Sequence, residues 1–505
     1  MTRSLSVRSP LLSVAVLLAV SGAVLAAYVA NSPHLDRFGD SPTYEFVAND
    51  LPKSFISSSR MPGYPVLIAV SSWLPGGREV GLIVTQALLI LAAVVVTYFI
   101  ARSALGHRWM AFVVALVIAT DLLMAGYVRV VMSETLAVIL TLAVVAAILR
   151  FMVDFRPLYL WIATGLLIAL DLTRPEWILL MLLLVPYLFL IARRRQLLNK
   201  KLVTHGVGSV AVVFVALGAY CTGNLITNDY FGLSSFSNDA LLGKVMVYGM
   251  VPEAPPPYSQ YVPMIQSYPS VWELVLVPPF NDRNSALAGE VARATIEHHP
   301  VEFTQDVLAS AITSLGEHDT QFLRIHDDAP FGRWLQTLLA VGEIRYRSFL
   351  ILPALALAWM IAGVLVPGIN HRAHMLGVLG LIVLYGWLTT AAGTYGEFER
   401  LRMTINPIST AIVFGTLFLI LRFALRNRAR MIAALALIAV DLAVMGFLPR
   451  LASSTVLSEV VLLALAAVQA VAVVRWSEPL MSLDRNKTES PHPALTRRPP
   501  RMAGR

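Results

Sequence analysis

A chain of 505 residues that is 57% apolar and only 14% charged, with a mean hydropathy of +0.69, has too little polar surface to be a soluble protein of its size. Its net charge of +8 is explained by Lys and Arg in alternate connections between apolar runs, so it gives no reason to invoke nucleic acid. A single cysteine, Cys221, excludes an intramolecular disulfide and a cysteine-based zinc cluster, and it reads as a passive helix residue.

About 20 apolar residues cross a bilayer as a helix. The windows that qualify predict an all-α polytopic membrane protein with about 11–13 transmembrane helices and a large outer-face loop region. Residues 1–30 hold the first span, Pro10 to Ala30. Val24-Leu25-Ala26-Ala27 resembles a cleavage site, but the apolar run is longer than a signal-peptide core and reads as an uncleaved anchor. Residues 31–79 form a first outer loop. Within 80–226 lie Val80 to Ala104, Trp109 to Thr120, Glu134 to Val153, Leu158 to Leu172, Glu176 to Ala192 and Val207 to Leu225, the second and fourth of them short.

Residues 227–347 leave the apolar pattern, as in Pro252-Glu253-Ala254-Pro255-Pro256-Pro257-Tyr258, and a stretch this long is expected to fold as a cap. Asn284 to His299 and, after Pro300, Val307 to Leu315 read as amphipathic helices lying along the membrane plane. Residues 348–475 hold the C-terminal spans, the last two being Met431 to Leu448 and Thr455 to Val474, and 476–505 is a basic tail expected to be disordered. The arginines and lysines at Arg3, Arg8, Arg102, Arg108, Arg193-Arg194-Arg195, Lys200, Lys201, Arg426 and Arg428 place those segments and both termini in the cytoplasm. The loops at 31–79 and 227–347 are then on the outer face of the plasma (inner) membrane.

The chemistry concentrates in the first outer loop. Ser41-Pro42 is a helix-start signature, with Ser as N-cap and Pro at the first helical position. Asp40, Tyr44 and Ala48 then recur every four residues, which puts a carboxylate and a phenol on one face. The bland reading is that Asp40, expected to be exposed, only complements the helix N-terminus. Arg60-Met61-Pro62-Gly63-Tyr64-Pro65 reads as a tight turn that holds an arginine just outside the apolar stretch from Val66. Such a guanidinium suits a phosphate; anchoring in lipid headgroups is the competing explanation.

Together these residues resemble the first outer loop of GT-C class integral-membrane glycosyltransferases, in the bacterial branch related to protein O-mannosyltransferases and the lipid A aminoarabinose transferase. Weaker similarities continue at Val131-Met132-Ser133-Glu134-Thr135, Leu172-Thr173-Arg174-Pro175-Glu176, Glu297-His298-His299-Pro300 and Glu399-Arg400-Leu401-Arg402 with Asn406-Pro407. After Arg402 the chain departs from the family, where proline comes sooner. The resemblance implies an inverting transfer from a polyprenyl-phosphate sugar to an envelope glycan, lipid or protein acceptor. Asp40 is then the catalytic carboxylate, with Glu134 or Asp36 as a second carboxylate that orients sugar or acceptor. Arg60, Arg400 and Arg402 hold the phosphate, and Tyr44 and Tyr64 belong to the same substrate site.

No metal ligand set is assigned. A divalent metal is the one cofactor left open, at Glu317-His318-Asp319 with His326-Asp327-Asp328, although acidic-His clusters in polar loops are usually solvated. Asp171 and Asp441 sit within or near spans and are expected to hydrogen-bond between helices. There is no Walker or dinucleotide glycine pattern to suggest a nucleotide donor. The rival reading is a transporter or lipid flippase, which calls for ionisable residues at the bilayer midplane rather than at helix ends. A third is an inactive scaffold for envelope assembly.

Overall fold

Among the residues that the structure describes, eight helices are long and apolar enough to cross a membrane, or up to nine if a bent pair is one span. The computed structural model describes residues 5–315, 320–365, 371–393, 400 and 402–424. The last two expected spans, the tail, Asp441 and Glu317-His318-Asp319 lie outside the described residues. Among those described there is no strand, and a lone parallel bridge joins Asp36 to Val130.

The N-terminal half consists of α1 (Leu5–Asn31), α2 (Ser41–Asn49), α3 (Gly63–Ser71), α4 (Gly77–Leu105), α5 (Arg108–Ala119), α6 (Leu122–Gly126), α7 (Glu134–Asp154), α8 (Pro157–Asp171), α9 (Leu180–Arg194) and α10 (Lys200–Asn228). The segment 227–347 adds α11 (Phe236–Val247), α12 (Val262–Gln266), α13 (Val271–Leu274), α14 (Ala286–His298) and α15 (Pro300–Thr313). Then come α16 (Gly332–Arg347), α17 (Leu352–Leu365), α18 (His371–Gly393) and α19 (Asn406–Ala424).

The protein is multi-pass, and its helices sort by which faces are buried. Leu88, Phe99, Leu183 and Val215 remain exposed on long apolar helices, as expected where lipid is the solvent, whereas α18 is buried almost throughout. Glycine permits the closest approach: a Cβ at Gly377 would press on the Tyr187 hydroxyl, the Trp359 carbonyl and Gly363. The short span expected at Trp109 to Thr120 is the first half of a bent helix pair. The chain bends by 46° between α5 and the run Leu122–Arg129, and the carboxylate of Asp121 caps the new start by accepting from the Leu123 amide at 3.2 Å. Thr120-Asp121 interrupts the apolar run at the bend, which is where the expected span stops.

The two amphipathic helices form, but neither presents its apolar face to lipid. In α14, Ala288, Val291 and Ala292 are buried in a small separate core with Leu242, Val245, Ile265 and Phe280. In α15, Val307, Ala311 and Ile312 enter the main core, and the Trp387 indole donates to the Ala311 carbonyl at 2.9 Å. The expected membrane-plane placement is replaced by protein packing, because neighbouring helices supply complementary apolar surface. The last helix of 227–347 also starts well before the predicted span: Gly332–Leu365 satisfies the length and hydropathy of a crossing helix.

Candidate active site

Residues from four separate places in the chain build the site. Asp40 is the N-cap position of α2 and Ser41 its first residue, one position earlier than the sequence suggested. The Ser41 hydroxyl faces inward and donates to the Val131 carbonyl at 3.0 Å, so it anchors the helix to the segment before α7 and makes no cap. Asp36 anchors the same loop. Its amide donates to the Arg129 carbonyl at 2.6 Å, and its carboxylate accepts from the buried Arg129 guanidinium at 2.9 Å.

Arg60 lies just before the apolar stretch as expected, but a helix start takes the place of the tight turn. Pro62 is the N-cap of α3 and Gly63-Tyr64-Pro65 its first turn. Gly63 is required by proximity: its amide donates to the Leu172 carbonyl at 2.9 Å, and a Cβ there would collide with that carbonyl and with the Thr173 side chain. The turn after α8 is thereby held against the start of α3.

At the centre, Asp40 accepts from the Nη2 atoms of two arginines. Arg60 reaches Oδ1 at 2.7 Å and Arg400 reaches Oδ2 at 3.1 Å. Far from being exposed, the Asp40 side chain keeps 15% of its surface. Burial pushes its carboxyl pKa up, but the charges and hydrogen bonds of Arg60 and Arg400 outweigh burial and leave it below the ordinary carboxylate value. Arg400 continues the chain of charges, with Nε 2.9 Å from Oε1 of Glu134. The same oxygen accepts from Arg174 Nη2 at 3.2 Å, and Arg174 Nε lies 3.5 Å from Glu176. Arg60, Asp40, Arg400, Glu134, Arg174 and Glu176 thus alternate in sign, and Oε2 of Glu134 is buried without a hydrogen bond.

The remaining predicted site residues divide. The Tyr44 ring lies 4.6 Å from the Arg60 guanidinium and its hydroxyl donates to Ser133 Oγ at 3.4 Å, which keeps it beside Asp40. Tyr64 is fully buried and donates to Gln86 Oε1 at 3.1 Å; it supports Tyr44 edge-on, with ring centroids 5.1 Å apart. Asp36 is held by Arg129, and Arg324 lies 3.7 Å away. Arg402 does not join Asp40. It donates to the Ser314 carbonyl and lies 5.9 Å from the Tyr346 ring and 5.7 Å from that of Phe349.

Sequence reasoning gave Arg174 no role, although the Arg-Pro turn was visible. It also passed over Gln86, whose amide donates to the Val128 and Val130 carbonyls at 3.0 and 3.1 Å; one glutamine in a long apolar helix is the signal. Lys244 of α11 is buried and donates to the Ala391 carbonyl at the end of α18, and burial pushes its ammonium down to about 7. Among the described residues no group of three or more His, Cys, Asp and Glu side chains is placed to hold a metal. The His326 backbone is instead tied to the Asn31 amide, its carbonyl accepting at 2.9 Å.

The sequence profile of the family described as dolichyl-phosphate-mannose-protein mannosyltransferase matches residues 59–219, a segment that includes Arg60, Glu134 and Arg174. No protein of curated function matches the chain. Among solved structures, the archaeal oligosaccharyltransferase AglB from Archaeoglobus fulgidus, in complex with an inhibitory peptide and a dolichol-phosphate, is similar at 11% identity and a TM-score of 0.43, over 91% of this chain and 56% of that one. The chain therefore spans little more than half the length of that protein. ArnT from Cupriavidus metallidurans in the apo state is similar at 14% identity and a TM-score of 0.35, over 83% of this chain and 80% of that one. ArnT bound to undecaprenyl phosphate gives 16% identity and a TM-score of 0.34, over 81% and 79%. Over residues 59–219, about a third of its length, the chain is thus similar to the dolichyl-phosphate-mannose-protein mannosyltransferases, in line with the resemblance read at Arg60 to Pro65.

Proposed function

We propose that the chain is an inverting glycosyltransferase that moves a sugar from a polyprenyl-phosphate donor to an envelope glycan, lipid or protein acceptor. The active site lies on the outer face of the plasma membrane, both termini are cytoplasmic, and the segment 227–347 caps the site. The observation that carries the reading is one carboxylate, Asp40, between the guanidinium groups of Arg60 and Arg400. A base and an anion clamp are what glycosyl transfer from a lipid phosphate requires.

In this reading the acceptor hydroxyl gives its proton to Asp40 while its oxygen attacks the anomeric carbon from the face opposite the phosphate. The bond from that carbon to the phosphate oxygen breaks, and its electron pair leaves on polyprenyl phosphate. Arg60 and Arg400 stabilise the resulting charge with preorganised donors. Glu134 orients a substrate hydroxyl through its uncommitted oxygen. Against transport, the named carboxylates stand at helix ends: Glu134 opens α7, Asp171 closes α8, and Asp40 precedes α2.

The test is transfer by the purified protein from synthetic polyprenyl-phosphate sugars in detergent, where no second compartment exists and transport cannot register. Release of free polyprenyl phosphate that depends on Asp40 is expected. If no donor in a panel is consumed while sealed vesicles show protein-dependent lipid movement, the flippase reading replaces this one. A reporter active only outside the cytoplasm is expected to read positive within 31–79 and 227–347 and negative near Lys200; the opposite pattern ends the outer-face assignment.

A further inference from the structure

Arg60 is held more completely than an anion clamp alone requires. Its guanidinium lies against two aromatic rings, 4.6 Å from the Tyr44 centroid and 4.1 Å from that of Phe236. In its own plane Nε donates to Thr43 Oγ1 at 2.8 Å and Nη2 to Asp40 at 2.7 Å. A guanidinium packed against two rings takes further ligands through its in-plane N–H groups. Of these, Nη1 makes no hydrogen bond among the described residues, so it is the corner left for an incoming anion.

Phe236 comes from the segment 227–347, and its own placement is supported from two sides. Its ring stacks on Trp272 with centroids 4.8 Å apart and planes inclined by 22°, and Trp272 belongs to α13, whose Val271 and Leu274 are in the small separate core. The chain just before Phe236 is sewn to the chain just before Arg60. The Ser235 amide donates to the Ser58 carbonyl at 2.6 Å and the Ser234 hydroxyl to the Ser59 carbonyl at 2.8 Å. From α10, Asn224 and Tyr220 donate to the Ser57 carbonyl at 3.2 and 3.3 Å.

We propose that Phe236 is a positioning residue for the Arg60 guanidinium, so that the segment 227–347 completes the anion site as well as covering it. The inference rests on the reading of Arg60 as a phosphate ligand. The ring lies against the cation and need not touch the substrate; its role is to stop the guanidinium from tilting out of the plane in which Nη1 faces the phosphate. A flat face is needed, so another aromatic residue serves and an aliphatic one of similar volume does not.

The experiment compares Phe236→Leu, Phe236→Tyr and Arg60→Lys, singly and as the pair Phe236→Leu with Arg60→Lys. Donor KM and kcat are measured alongside direct binding of unsubstituted polyprenyl phosphate by native mass spectrometry in detergent. Phe236→Leu is expected to raise donor KM and weaken phosphate binding roughly 5- to 30-fold, the range set by one lost cation–π contact, with kcat within about twofold. Phe236→Tyr is expected to restore binding, and Phe236→Leu is expected to have a much smaller effect once Arg60 is lysine. Equal losses in the Leu and Tyr variants, unchanged KM in the Leu variant, or full additivity with Arg60→Lys would each overturn the proposal. If the wild type consumes no donor, the functional reading fails, and phosphate binding still decides on Phe236. Wild-type protein that binds no polyprenyl phosphate removes the anion role of Arg60 and this proposal together.

Discussion

Two of the buried arginine–carboxylate clusters among the described residues, at Asp40 and at Asp121, are built from the same residue types but differ in how fully the carboxylate is engaged. At the α5–α6 bend, Asp121 accepts from Arg345 at 2.7 Å, from the Tyr346 hydroxyl at 3.1 and 3.4 Å, and from the Leu123 amide at 3.2 Å. Its side chain keeps 0% of its surface, and both oxygens are saturated. Asp40 meets one arginine on each oxygen and retains an open side. A carboxylate met twice on each oxygen has no lone pair left for a substrate, so it fixes a bend, even though Arg345 Nε is itself buried without a hydrogen bond; a carboxylate met once on each oxygen can exchange partners. Buried charge by itself is therefore poor evidence of catalysis, and uncommitted donors and acceptors are better evidence.

That contrast is broken first at its two carboxylates. Asp40→Asn is expected to lower transfer by roughly 10²- to 10⁴-fold, the usual loss of a general base, while the protein still purifies as a folded species. Normal turnover would remove Asp40 from catalysis. The matching change at the bend, Asp121→Asn, strands Arg345 in a closed site and is expected to cost about 3–5 kcal/mol, read as a large fall in the melting midpoint in detergent. A stable but inactive Asp121 variant would erase the distinction between the clusters.

The arginines sharpen it further. Arg60→Ala or Arg400→Ala is expected to weaken donor use by an amount equivalent to about 1.5–3 kcal/mol, the worth of a hydrogen bond to a charged group. Lysine at either position should recover only part, since it keeps the charge and loses the fork. Arg402→Gln is expected to leave donor KM within about twofold and to lower thermal stability instead, because Arg402 lies against Tyr346 and Phe349. A selective rise in KM would return Arg402 to the substrate site.

The smallest effect concerns pH. The Asp40 pKa is lowered in the folded protein, so its contribution to stability is fully present above the unfolded value of about 3.9 and is lost as pH falls through the lower folded value. The acid limb of kcat/KM, which reports the free enzyme, is therefore expected below about pH 4. Donor phosphate competes for Arg60 and Arg400, which removes what lowers the pKa, so the acid limb of kcat is expected at higher pH than that of kcat/KM. Coincident limbs would mean that the donor does not draw the arginines from Asp40.

Most of the architecture was legible in the sequence because long apolar runs have little choice in a bilayer, and the motifs around Asp40 and Arg60 exposed half of the site. What escaped was relational. Asp40 and Arg400 are 360 residues apart, and no local pattern predicts that they meet. Arg400 and Arg402 looked equivalent as text, yet positions two apart on a helical turn do not face the same way, and only Arg400 reaches Asp40. Phe236 carries no signal at all, since a phenylalanine after two serines is ordinary loop composition. The destinations of the amphipathic helices were misread because the same stripe of apolar residues suits lipid or a neighbouring helix equally.

The separation of Asp40 from Arg400 has a consequence for biogenesis. A chain made at about 5–20 residues per second needs roughly 20–70 s to pass from one to the other. Arg60 is only 20 residues from Asp40 and can pair with it almost at once, so the base waits with one arginine until α18 is in the membrane. A nascent or truncated chain that ends before Arg400 has only one of the two guanidinium groups that meet Asp40.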